Sequence, residues 1–61
     1  MKMKRNIYIV RNIYDIAGQS KHRTPEAACR TADKREGDGW IVEDQDGNRW
    51  EMNGPEAVCV G

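Results

Sequence analysis

Between Asn6 and Ile16 the chain reads Asn-Ile-Tyr-Ile-Val-Arg-Asn-Ile-Tyr-Asp-Ile, a stretch whose apolar residues fall on both parities. Side chains alternate between the two sides of an extended strand. One continuous strand here carries Ile7, Ile9 and Ile13 on one face and Tyr8, Val10, Tyr14 and Ile16 on the other. Such a strand must be covered twice, or it leaves an apolar row exposed. The repeat Arg-Asn-Ile-Tyr, at Arg5 to Tyr8 and again at Arg11 to Tyr14, has an even period and keeps the two faces in phase. A hairpin turning at Arg11-Asn12 is the alternative, but that pair is a poor turn beside Asn-Gly or Asp-Gly. One long strand is therefore expected.

Little material is available to cover it. The chain has 61 residues, read as a single domain over residues 1–61. A domain of this size buries only ~60% of its unfolded surface and holds a net stability of ~3–5 kcal/mol. It contains no Leu and no Phe, and its Ile, Val, Trp and Tyr favour strands over helices.

One helix is expected from Pro25 to Glu36. Thr24 suits the N-cap, Pro25 the first helical position, and Glu26 the positive end of the helix dipole, with Gly37 as the stop. Ala28, Cys29 and Ala32 fall on one side, while Glu26, Arg30 and Lys34 lie toward the other. The buried stripe is narrow and brings little apolar area.

The run Gly39 to Asn53 reads as a hairpin around Asp46-Gly47. A two-residue turn would mix apolar and charged residues on both faces. A three-residue loop, Gln45-Asp46-Gly47, with a type I turn starting at Asp44 and a left-handed Gly47, pairs Val42 with Trp50, Trp40 with Met52 and Glu43 with Arg49. Trp40, Val42, Trp50 and Met52 then share one face, and Ile41, Glu43, Arg49 and Glu51 the other. The tail from Pro55 to Val60 fits either a last helical turn or a short strand. The fold expected is an α+β, β-α-β-β two-layer sandwich, with a three-stranded, mainly antiparallel sheet of order 2-3-1 and one helix on one face.

Function classes narrow by exclusion. The positive start is followed by apolar residues only from Ile7 to Val10, so no signal peptide fits, and no stretch is long enough to cross a bilayer. A cytoplasmic protein with free, buried Cys29 and Cys59 is expected. Two cysteines thirty positions apart and one histidine make a poor zinc set, and aligning Gly47 with the glycine of a calcium loop puts Val42 at the first ligand position. No metal and no cofactor is expected. Cys29 falls on the buried stripe of the helix and His22, read as an exposed loop residue, has no third group to orient it, so the two make no nucleophile pair, and no phosphate loop or serine elbow is present. The chain is read as a non-enzyme without catalytic residues.

Two readings remain. The helix covers one side of the sheet, so the first strand leaves an apolar row outside, and Ile7, Tyr8, Ile9, Val10, Ile13 and Tyr14 form the candidate interface for a partner protein or a homodimer, unless the tail, with Val58 and Val60, covers the row within the monomer. Charge supplies the alternative: Met1 to Arg23 holds Lys2, Lys4, Arg5, Arg11, Lys21 and Arg23 against Asp15 alone, plus five, against minus five in the remainder. Lys4, Arg5, Arg11, Lys21 and Arg23 would contact phosphates, and Tyr8 and Tyr14 would stack on bases.

The hairpin from Gly39-Trp40-Ile41-Val42 through Asp46-Gly47-Asn48-Arg49-Trp50, preceded by a strand and a short helix, resembles small β-α-β-β proteins encoded by phages and prophages, among them anti-CRISPR inhibitors. The resemblance implies a stoichiometric inhibitor or adaptor that occupies a protein-binding or nucleic-acid-binding surface of a host complex. It assigns no functional residue.

Overall fold

The computed structural model describes residues 6–61, which form strand β1 (Tyr8–Asn12), strand β2 (Ser20–His22), helix α1 (Pro25–Lys34), and strands β3 (Trp40–Asp44), β4 (Arg49–Asn53) and β5 (Glu56–Cys59). The α+β class is as expected, but the sheet has five strands in the order β2-β1-β3-β4-β5, every neighbouring pair antiparallel.

The expected order 2-3-1 fails because of one short strand. Had the chain run directly from β1 into the helix, β1 would lie parallel to β3. Instead Ser20–His22 folds back on β1, pairing Tyr8 with His22 and Val10 with Ser20, and this reversal makes β1 antiparallel to β3. Antiparallel pairing then seats β1 beside β3 rather than β4. Ser-Lys-His carries no strand signal of its own, and its place is set by the edge of β1 that it satisfies.

Nor is the first strand continuous to Ile16. It ends at Asn12, whose side-chain oxygen accepts from the Tyr14 N–H at 2.8 Å while its amide nitrogen donates to the Asp38 carbonyl at 2.9 Å. Asp15 repeats the motif on the Ala17 N–H at 3.0 Å. These local bonds compete with the ladder and bend the chain. The second Arg-Asn-Ile-Tyr copy is thus a terminator, not a continuation.

The helix starts as its sequence dictates: Thr24 is extended and accepts from the Ala27 N–H, with Pro25 in the first turn. It ends earlier than Glu36, at Lys34, where the Arg35 N–H reaches the Ala32 carbonyl. The β3–β4 loop is the expected one. Gly47 is left-handed (φ 85°), its N–H bonds the Asp44 carbonyl at 3.0 Å, and Val42 pairs with Trp50 and Glu43 with Arg49. Trp40 does not pair with Met52, since the β3–β4 ladder stops at Val42. The undecided tail is β5, paired along β4 from Asn53–Glu56 to Trp50–Cys59.

Tyr8, Val10, Ala28, Cys29 and Val42 form the core, ringed by Ala32, Trp40, Trp50, Met52 and Ala57. Small side chains on the helix let it sit close to the sheet, and the Tyr8 and Trp50 rings meet edge to face at 5.3 Å.

Candidate interaction surface

Because β1 turns Tyr8 and Val10 toward α1, the two-residue period sends Ile7, Ile9 and Arg11 to the opposite side. The cross-strand register fixes their neighbours. Ile9 lies between Lys21 of β2 and Glu43 of β3, and Arg11 lies beside Ile41. Further along, Glu43 faces Arg49 of β4, and Glu51 faces Val58 of β5. The face away from the helix is thus a checkerboard of aliphatic and charged residues, with Ile41 near its centre. No element of the described chain crosses it.

The six residues of the candidate interface therefore separate into two groups. Tyr8 and Val10 are core residues, exposed by 7% and 0%, and cannot contact a partner. Ile7 and Ile9 belong to the open face. Ile13 and Tyr14 lie where the chain leaves β1, beside Ile16, and Tyr14 is 78% and Ile16 90% exposed. The Tyr14 ring still has a seat. Gly39 lies beneath it in a left-handed conformation, and a Cβ there would fall 2.6 Å from the ring. Sequence reasoning set Ile41 on the solvent side of the hairpin but did not place it beside β1. Only the true strand order brings it beside Arg11 and continues the aliphatic surface of β1.

One ion pair forms on this face. Arg11 Nε donates to Glu43 Oε1 at 2.6 Å, and that bond is what raises the guanidinium pKa above its ordinary value. A cation held this way is less available to a phosphate. Among the other cations named for nucleic-acid binding, Lys21 and Arg23 are exposed, while Lys4 and Arg5 lie outside the described residues. Tyr8, buried against Trp50, offers no ring face to a base, so that reading keeps only Tyr14 for stacking.

Two carboxylates hold the framework. Asp44 accepts from the indole N–H of Trp50 at 3.0 Å and from the N–H groups of Asp46 and Asn48, both at 2.9 Å. The Trp50 bond is the largest cause of its lowered pKa. Glu26 is turned not to solvent, as its helical position suggests, but to β5. Its carboxylate accepts from the Ala57 N–H at 3.0 Å, which lowers its pKa.

Where the β3–β4 ladder ends, the two strands separate and leave an open cleft of about 430 Å³ against the helix, lined by Cys29, Trp40, Trp50 and Met52 with Asp33 and Glu51 among its charged groups. Burial, followed by the charge of Asp33, pushes the Cys29 thiol pKa up, so the sulfur stays a protonated packing group rather than a thiolate. Both cysteines are free, but Cys59 is exposed rather than buried. His22 is likewise no loop residue. It lies half-buried on β2 with Nε2 2.8 Å from Ser20 Oγ. Among the described residues no group of three or more His, Cys, Asp or Glu is placed to hold a metal ion. Comparison of the chain with protein-family models, with curated proteins and with solved structures finds no match.

Proposed function

We propose that this chain is a small non-enzymatic protein–protein interaction module of bacterial or phage type, a cytoplasmic inhibitor or adaptor that acts by surface complementarity. Its working surface is the sheet face away from α1, extended by Ile13, Tyr14 and Ile16. One observation carries the reading: Ile9 and Ile41, on adjacent strands, face away from the only helix of the described chain, and Ile7 and Val58 flank them. Ile9, Ile41 and Val58 are half-buried among charged neighbours, Ile7, Ile13, Tyr14 and Ile16 are exposed, and aliphatic surface left partly open in this way is what supports an interface. The interleaved Arg11, Glu43, Arg49 and Glu51 keep the face soluble when free and give a partner charges to read.

The test is capture from nuclease-treated extract of the native cell with the immobilised protein and with an Ile9→Glu variant. A protein retained by the first and lost from the second supports the reading. Retention that ignores the substitution, or no retained protein, overturns it. Binding to a short oligonucleotide at low salt, falling steeply as salt rises, would favour the nucleic-acid alternative instead.

A further inference from the structure

We infer that the cleft between β3 and β4 receives an arginine side chain of the protein partner, stacked on tryptophan and matched in charge by Asp33 and Glu51. The inference rests on the interaction-module reading and adds the group that the partner inserts.

Trp40, Trp50 and Met52, all half-buried, wall the cleft beside Cys29 and Ala32 of α1. Both indole N–H groups are already used inside the protein. Trp40 Nε1 donates to the Glu36 carbonyl at 2.9 Å, and Trp50 Nε1 donates to Asp44 Oδ2 at 3.0 Å. What the rings still offer a ligand is π surface, and π surface attracts cations. The chain itself displays the contact: the Arg35 guanidinium lies over the Trp40 ring, 5.1 Å from its centroid. Arg35 does not line the cleft, so this contact leaves the cleft side of Trp40 open.

Charge selects the ligand. Asp33 and Glu51 line the cleft from helix and sheet, both exposed, and among the described residues neither is in an ion pair. Arg49 lines it as well, but the charges that act on the Cys29 sulfur are those of Asp33, Glu26 and Glu51, all negative. A cation entering here meets aromatic surface and negative potential together. A planar guanidinium stacks on an indole while its edge donates to carboxylates, a combination that the compact, strongly hydrated lysine ammonium does not match. The volume of about 430 Å³ is open to solvent, so it admits a side chain still attached to its own backbone. Ile41 and Glu51 belong also to the face away from the helix, which puts the cleft within reach of a partner seated there.

The probe is an acetylated and amidated Gly-Arg-Gly peptide, titrated into the isotope-labelled chain and followed by NMR at the two indole N–H signals. Both signals should shift saturably, with a dissociation constant on the order of 1 mM. The same peptide with lysine should bind about threefold more weakly, and the one with citrulline, a neutral isostere, about tenfold more weakly. Asp33→Asn and Glu51→Gln should each weaken the arginine peptide by about twofold to fivefold. Both positions are exposed, and circular dichroism checks that the variants stay folded. No saturable shift up to about 20 mM peptide, citrulline or lysine binding as tightly as arginine, or affinity indifferent to both carboxylates overturns the inference. Ile9 does not line the cleft, so Ile9→Glu should keep the peptide affinity. Failure of the peptide therefore leaves the capture experiment standing, and failure of capture beside intact peptide binding overturns the interaction-module reading instead.

Discussion

Val10 and Ile9 are neighbours in sequence and opposites in the fold, and truncating each to Ala tests the orientation on which the proposed interaction surface depends. Val10 is fully buried, opposite Val42 and Ser20 in the sheet and beneath the helix. Val10→Ala removes two carbons at ~0.8 kcal/mol each, and the cavity left behind raises the loss to about 2–3 kcal/mol. Against a net stability of ~3–5 kcal/mol that is half or more of the total, equivalent to a fall of about 10–20 °C in melting temperature. Ile9→Ala removes more carbon from a half-buried site on the open face, and about 1 kcal/mol or less is expected. The assay is urea unfolding followed by Trp fluorescence, at protein concentrations too low for self-association. The midpoint should move while the slope is unchanged. Equal losses at the two positions, or a larger loss at Ile9, would refute the register, because a slip of one residue exchanges the faces of β1.

Gly47 and Gly39 are both left-handed, at φ 85° and 93°, so Ala at either should cost about 1–2 kcal/mol. Only Gly39→Ala should also drive the Tyr14 ring off the backbone, removing its ring-current shift from the Gly39 amide in NMR spectra. Lowered pKa values at Asp44 and Glu26 mean that their contribution is present above the ordinary 3.8 and 4.5 and is lost as pH falls through the lower folded values. The urea midpoint should therefore decline toward pH 2, and Asp44→Asn and Glu26→Gln should each flatten that decline. A midpoint that rises on acidification would contradict both hydrogen-bond assignments. Exposed Cys59 should react with a thiol reagent at once, whereas buried Cys29 reacts only through opening, slower by about 100-fold if opening costs ~3 kcal/mol. Comparable rates would place Cys29 outside the core.

Local chemistry was legible in the sequence where one residue sufficed to impose it. Thr24-Pro25 sets a helix start whatever surrounds it, and Asp44 through Gly47 closes a loop of one length, so the hairpin register followed from which residues it placed opposite one another. What could not be read was set by distant partners. Ser20–His22 is a strand because the edge of Tyr8–Val10 offers it bonds, and that one reversal determines which strand becomes the neighbour of β1. Asn12 was visible as a residue but not as a terminator, since its second bond goes to Asp38. The candidate interface suffered accordingly. The doubled apolar parity of β1 was correct for Ile7 to Val10, but which row turned inward depended on the helix, and Tyr8 and Val10 took that side.

Strand β2, missed from sequence, and β5, left undecided there, widen the sheet without thickening the protein. A helix of ten residues faced with Ala28, Cys29 and Ala32 approaches closely, and its shallow stripe is satisfied by Tyr8, Val10, Val42 and the half-buried Trp50 and Met52. Every added strand therefore enlarges the covered and the uncovered face alike, while the described residues offer one helix. On the uncovered face Ile9 and Ile41 are not replaced by polar residues, as solubility alone would favour, but are set among charged residues, of which Arg11 and Glu43 bond to each other. Alternating charge suppresses indiscriminate aggregation while leaving a patterned surface, and a patterned surface is matched by few partners. Its sequence spacing is that of the strand itself, so the periodicity that folds β1 also spaces the groups it presents.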